Sequence, residues 1–195
     1  MQLHKVKQGS PEWHKVRLGK LTASHAQAIA SQGKGLETLA YNKVAEILTG
    51  KAEEGYINPD MERGNELEMM ARNAYELETG NLVKEVGFCE LNKHSGASPD
   101  GLVGDKGLVE FKCPTNKVFT EYLYTEKVNT GYVWQMQMQM YVTDRKWCDY
   151  AVFAQDFPKS LIIKRIERDE RAIEKIKKGL EIGEEMITNI MKKIV

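Results

Sequence analysis

Between Ser98 and Pro114 the chain reads SPDGLVGDKGLVEFKCP, and this segment limits the possible folds more than any other. Gly104-Asp105-Lys106-Gly107 is a turn signal between two apolar runs, so Gly101-Leu102-Val103 and Leu108 to Cys113 are expected to pair as a β-hairpin. Alternation along a strand puts Glu110 and Lys112 on one face and Val109 and Phe111 on the other, towards a core. Asp100, at the opposite end of the hairpin, can meet them there. Two carboxylates converging on one point repel each other and need a cation between them; hard oxygen donors with retained water suit Mg²⁺ or Mn²⁺. An ammonium two residues from a metal-ligating carboxylate can then hold or activate an attacking water.

Such a hairpin needs a body to pack on. With 195 residues and 42% hydrophobic content the chain can bury one substantial core, so residues 1–195 are expected to form a single domain. Basic and acidic side chains number 28 each, so no global charge advertises a polyanion partner, although a metal ion and a local basic groove can supply positive charge where it is needed. Cys89, Cys113 and Cys148 are odd in number and far apart, which fits neither a disulfide framework nor a CxxC-type zinc site and points to a reducing cytosol. The start, MQLHKVKQGSPEW, has no apolar run of signal-peptide length, and no segment reaches the roughly 18 apolar residues of a membrane span. A soluble, cytoplasmic protein with no membrane partner is expected.

Helices are expected from Ser10 to about Gly19, with Ser10 as cap and Pro11 at the first position, and over His25–Ala30, where Thr22 or Ser24 can cap. A loop over Ser31–Gly35 leads to a helix that Gly50 stops, and a polar run from Lys51 to Pro59 follows. Gly64 to Thr79 reads as a central helix with Leu67, Met70, Ala74 and Leu77 on its apolar stripe and Gly80 at its end. Leu82 to Leu91 reads as a strand, Thr115 to Gly131 as helix, and Tyr132 to Val142 as helix although QMQMQM alternates like a strand. Ala151–Phe153 and Leu161–Ile166 are further strands, and an amphipathic helix from about Asp169 carries Ile173, Ile176, Leu180, Ile187 and Ile190. This order describes an α/β fold with a small mixed β-sheet flanked by helices.

Taken alone, D-x9-E-x-K is a loose pattern that an ordinary solvated hairpin also produces. Its company changes the reading: RLGKLTAS, RGNELE, SPDG, GLVEFKCP and then Gln135-Met136-Gln137, in that order. From Trp13 to about Val142 this series resembles the phage-lambda-type exonucleases, the YqaJ viral recombinase family within the PD-(D/E)xK nuclease superfamily. Ile166-Glu167-Arg168-Asp169-Glu170 resembles the stretch before the family's final helix. The resemblance implies a PD-(D/E)xK, restriction-endonuclease-like core and a Mg²⁺-dependent enzyme, with two ions and Mn²⁺ as substitute. It implies degradation of one strand of linear double-stranded DNA from a 5′ end, leaving a 3′ single strand for phage-type recombination. It further implies a homotrimer ring, a single-strand annealing protein as partner, and a phage or prophage origin in a bacterial host.

Residue by residue, Asp100 and Glu110 fall on the family's metal ligands, joined by the Phe111 backbone carbonyl, and Lys112 on its catalytic lysine. Glu68 matches the family's helix glutamate four residues after Gly64; Glu66 is its rival, and an i,i+4 ion pair with Arg72 is the ordinary alternative for Glu68. Gln135 matches a glutamine near the site. A helix separates Gln135 from Gln137 by about 200°, so Gln135 is preferred and plain surface polarity is the alternative for both. Arg17 and Ser24 fall on positions that hold a terminal 5′-phosphate, a task suited to a guanidinium fork and to a hydroxyl near a helix start; a surface arginine and a helix cap are the ordinary alternatives. His14, His25 and His94 lack metal-ligand spacing and read as structural or surface residues, and Trp13 and Trp134 as core or wall. Lys117, Lys127, Lys159, Lys164 and Arg165 are candidates to line a DNA channel. Two other readings stand beside this one: another PD-(D/E)xK endonuclease or single-strand nuclease, and a non-catalytic DNA-binding subunit.

Overall fold

The computed structural model describes residues 1–52 and 59–195, the side chains of 59–66 excepted. In chain order the elements are β1 (Gln2–His4), α1 (Pro11–Arg17), β2 (Leu21–Thr22), a 3-10 turn (Ala23–His25), α2 (Ala26–Ser31), α3 (Lys34–Thr49), α4 (Pro59–Thr79), β3 (Val83–Lys84), β4 (Phe88–Asn92), β5 (Ser95–Ala97), β6 (Gly101–Val103), β7 (Gly107–Lys112), α5 (Asn116–Thr125), α6 (Thr130–Thr143), β8 (Trp147–Phe153), β9 (Leu161–Glu167) and α7 (Glu170–Ile194). The hairpin forms as read, with Gly101 opposite Val109 and Val103 opposite Gly107. It sits in a five-stranded mixed sheet of order β3-β6-β7-β8-β9, in which only β7 and β8 run parallel. A second sheet, β1-β4-β5-β2, was not legible, because β1, β2 and β5 span three residues or fewer. The single strand expected over Leu82–Leu91 is in fact two: β3 joins the first sheet and β4 the second.

Strand β7 is central, and helices cover both of its faces. Val109 and Phe111 pack with Ala71 and Tyr75 of α4, while Leu108 packs with Phe119 of α5 and with Met136 and Met140 of α6. The face of α4 that does this differs from the expected stripe. Leu77 is 89% and Met70 44% exposed, whereas Ala71 and Tyr75 are fully buried. Tyr75 decides the orientation: its ring meets Phe111 edge-on at 5.9 Å, and its hydroxyl donates to Asp149 Oδ2 at 2.7 Å. Asp149 is held in turn by both Nε and Nη2 of Arg165, so the buried phenol and carboxylate are satisfied together. Counting aliphatic residues overlooks a tyrosine whose ring supplies the bulk.

Helix α6 resolves the ambiguity of the QMQMQM run. Met136 and Met140 face the five-stranded sheet, Met138 and Val142 face α2, α3 and α7, and residues 136–140 are all buried. A helix buried all round has no polar stripe to announce its period, so alternation in sequence imitates a strand. The helix expected from Thr115 to Gly131 breaks after Thr125, where Glu126 adopts φ +52°, and α6 restarts with the Asn129 side chain as cap. The loop over Ser31–Gly35 shrinks to Gln32 and Gly33 between α2 and α3. Helix α7 lies across α2 so closely that a Cβ on Gly179 would stand 2.0 Å from the Ile29 carbonyl oxygen. Most of the polar connection expected over 51–59, and the side chain of Glu66, lie outside the described residues.

Candidate active site

Register explains why Asp100 and Glu110 are ten residues apart. The pairs of β6 and β7 have Gly101 opposite Val109, so one step outward Asp100 stands opposite Glu110 and on the same face. Asp100 Oδ2 accepts the Phe111 backbone N–H at 2.7 Å. Glu110 is 1% exposed, and Lys112 Nζ donates to its Oε1 at 2.5 Å. The ammonium also stands 4.9 Å from the ring centre of Tyr132, a cation–π contact. Burial, and then the charge of Glu110, push the Asp100 carboxyl well above its usual range, against the pull of Lys112 and of the Phe111 N–H. Burial opposes the Lys112 ammonium, but Glu110 and Asp100 outweigh it and raise its pKa, so the lysine is charged at neutral pH.

Helix α6 supplies two more donors to Glu110. Gln135 Nε2 reaches Oε1 at 2.6 Å and Gln139 Nε2 reaches Oε2 at 2.7 Å. Gln137 points elsewhere: its amide donates to the Glu167 carbonyl and accepts the Asp169 N–H, at the start of α7. Gln135, the glutamine preferred from sequence, reaches Glu110 and Gln137 does not, and neither side chain is free surface polarity. Gln139 was missed, although its i,i+4 relation to Gln135 on a helix was enough to find it. Glu68 stands where two readings meet. It forms the i,i+4 pair with Arg72 at 3.6 Å, and its carboxyl is raised by burial and also feels Glu110 and Lys112, so it borders the same cluster.

Arg17 and Ser24 do not touch each other. Arg17 Nη1 donates to Ser98 Oγ at 3.2 Å, two residues before Asp100, and its guanidinium stacks on Trp13 at 4.0 Å. Trp13 Nε1 donates to the same hydroxyl at 2.9 Å. Burial pushes the Arg17 pKa down to about 10, with Glu46 opposing, so it too is charged at neutral pH. Ser24 is exposed and shares hydrogen bonds with Thr22 and His25 rather than capping α2. It lines a cleft of about 510 Å³ with His25, Gln27, Ser31, Tyr132 and Gln135. Two of its lining residues touch the Glu110–Lys112 pair, Gln135 by its hydrogen bond to Glu110 and Tyr132 by its ring contact with Lys112. His25 thus stands at the cleft, and its pKa is lowered by burial and by the charges of Lys43 and Arg17. A second cleft of about 530 Å³ lies past the end of β7, lined by Leu67, Thr115–Lys117 and 154–156. Of the channel candidates, Arg165 is committed to Asp149 and Lys164 to the Glu126 carbonyl.

Among the described residues no three His, Cys, Asp or Glu side chains cluster closely enough to hold a metal. The donor set on offer is two carboxylates, with backbone carbonyls and water to complete it. It still fits a hard divalent cation: Asp100 Oδ1 has no hydrogen-bond partner among the described residues, and a cation would relieve the repulsion that raises its pKa.

The profile of the YqaJ-like viral recombinase domain matches residues 12–146. The chain belongs to this family. It is 37% identical to an alkaline exonuclease, LHK-Exo, from Laribacter hongkongensis, over 94% of this chain and 97% of that one, with a TM-score of 0.83. The structure of LHK-Exo in complex with dAMP aligns over 94% of this chain and 95% of that one, with a TM-score of 0.85. A phage related exonuclease from Haemophilus somnus 129PT, 17% identical over 90% and 96% of the chains, has a TM-score of 0.72 and shares the fold. A comparison with curated proteins finds no match. As a YqaJ-like domain the chain has the PD-(D/E)xK core read from its sequence, and the matched span holds every candidate residue named above from Arg17 to Gln139.

Proposed function

We propose that this chain is a Mg²⁺-dependent exonuclease that digests one strand of linear duplex DNA from 5′ to 3′, with residues 1–195 as a single nuclease domain. The observation that carries the reading is the convergence of Asp100, Glu110 and Lys112 on one face of a hairpin, beside a cleft that Ser24 and Gln135 share. Identity of 37% to an alkaline exonuclease, one also crystallised with dAMP, supports it. Asp100 and Glu110, with the Phe111 carbonyl, would hold the metal. When bound, the ion polarises the phosphodiester and lowers the pKa of an attacking water; two ions would also ease departure of the leaving oxygen, and Mn²⁺ would substitute. Lys112 orients that water and takes up charge beside it, while Gln135 keeps the Glu110 carboxylate aimed and Glu68 orients water at the rim. Arg17 and Ser24 receive the 5′-phosphate. The exposed 3′ strand would pass to a single-strand annealing protein in the cytoplasm of a bacterial host. A homotrimer ring, read by light scattering, rests on the family resemblance.

A linear duplex labelled at one 5′ or one 3′ end, digested with Mg²⁺ and with chelator, tests the reading. Metal-dependent release of 5′ nucleotides that Asp100→Ala abolishes is the expected result. Release from the 3′ end or cutting of a closed circle would overturn the polarity or the exonuclease assignment, and binding without cleavage would favour a non-catalytic DNA-binding subunit.

A further inference from the structure

Glu110 has three side-chain donors, and they are unequally shared. Lys112 and Gln135 both reach Oε1, while Gln139 alone among them reaches Oε2. Gln139 is fully buried, and its own Oε1 has no hydrogen-bond partner among the described residues. An orphaned buried acceptor destabilises a fold, so this side chain is placed for what its amide nitrogen does rather than for stability. Turning the amide over would set its oxygen against the Glu110 carboxylate and exchange attraction for repulsion. The same nitrogen lies 3.5 Å from the Ser98 carbonyl oxygen, next to the hydroxyl that Arg17 grips.

An ionised carboxylate has about four lone-pair positions. Three are taken by Lys112, Gln135 and Gln139, so the donor set determines the direction from which a cation can be met. We propose that Gln139 is a positioning residue: by holding Glu110 Oε2 it fixes the plane of the carboxylate and leaves one lone pair aimed at the catalytic cation. This inference rests on the nuclease reading. It assigns to Gln139 an effect on metal affinity and turnover, with no contact to DNA.

The test compares Gln139→Met with Gln137→Met, an equally buried neighbour whose hydrogen bonds serve Glu167 and Asp169. Mn²⁺ binding is measured by titration calorimetry, duplex digestion as kcat and KM, and stability as Tm in chelator. Gln139→Met should weaken Mn²⁺ binding about 10- to 100-fold and lower kcat with KM for DNA unchanged. Its Tm should stay close to the wild type, because losing the donor to Glu110 and losing the orphaned acceptor oppose each other. Gln137→Met should lower Tm and leave Mn²⁺ affinity unchanged. Equal Mn²⁺ affinity in Gln139→Met and wild type overturns the inference, as does a loss of affinity that both variants show in step with a loss of Tm. A wild type that binds Mn²⁺ yet leaves every duplex uncut defeats the nuclease reading instead, and the calorimetric comparison then decides Gln139 separately.

Discussion

Replacing Asp100 with asparagine separates what the residue costs the fold from what it gives the site. Asp100 Oδ2 accepts the Phe111 N–H at 2.7 Å, and an amide oxygen in the same place keeps that bond. What disappears is a carboxylate whose pKa is raised well above the usual range by burial and by Glu110. A raised folded pKa means that the native state binds more protons than the unfolded chain. The stability this brings is complete below the unfolded value of about 3.9 and is lost as pH rises through the folded value. At neutral pH an aspartate that is ionised in the unfolded chain therefore costs stability that asparagine does not. Single stabilising substitutions commonly yield about 0.5–2 kcal/mol. With the hydrogen bond kept and the Lys112 attraction given up, about 1 kcal/mol is reasonable, which lifts the Tm of a chain this long by about 2–4 °C. Thermal melts in chelator should show the gain at neutral pH and a smaller one near pH ~4. Mg²⁺ should then reverse the ranking, since a ligand at ten times its Kd adds about 1.4 kcal/mol to the wild type alone. Digestion should be lost throughout. An Asp100→Asn variant that melts below the wild type in chelator at neutral pH would refute the reasoning.

Lys112→Ala should abolish turnover while duplex binding, measured in chelator, stays within a few-fold; lost binding would move the lysine from chemistry to grip. Its stability cost should be about 2 kcal/mol, below that of a fully buried pair, because Gln135 and Gln139 still donate to Glu110 and the lysine is 25% exposed. Arg17→Ala should cut the preference for a 5′-phosphorylated over a 5′-hydroxyl end by about tenfold or more, the worth of one charge-assisted contact; an unchanged ratio in a competition digest removes Arg17 from the phosphate site. On α4, Leu77→Lys should change stability by no more than about 0.5 kcal/mol, whereas Tyr75→Phe should cost about 1–2 kcal/mol by taking a donor from Asp149. The reverse order in denaturant melts would mean that α4 packs by its aliphatic stripe after all.

The hairpin was legible because its signals are local: a four-residue turn, alternation on β7 and a carboxylate on each arm. Helix α1 was legible for the same reason, with Ser10 accepting from the Trp13 N–H at 3.2 Å as its cap, and so was α7 with its apolar stripe and the Asp169 cap. Strands of two or three residues in the second sheet carry too little pattern to read. The stripe on α4 was misread because burial there is set by Tyr75 and its distant partner Asp149, 74 residues on. Gln139 was within reach of the sequence through its i,i+4 relation to Gln135, but only the burial of α6 on all sides shows why a third side-chain donor to Glu110 matters.

Sequence by itself determined which groups are available and how the nearest of them are spaced. Asp100, Glu110 and Lys112 come together through one turn and a period of two, with no help from the rest of the chain. Tertiary structure decided everything that depends on contacts far apart along the chain. It selected Gln135 and Gln139 over Gln137 by the rotation of α6 against β7. It brought Arg17 to Ser98 across 81 residues, and it buried Glu110 deeply enough that every donor around it matters. The physical reason is range: backbone geometry repeats over a few residues and can be read in one dimension, whereas burial and charge depend on what the folded chain stacks on either face of β7.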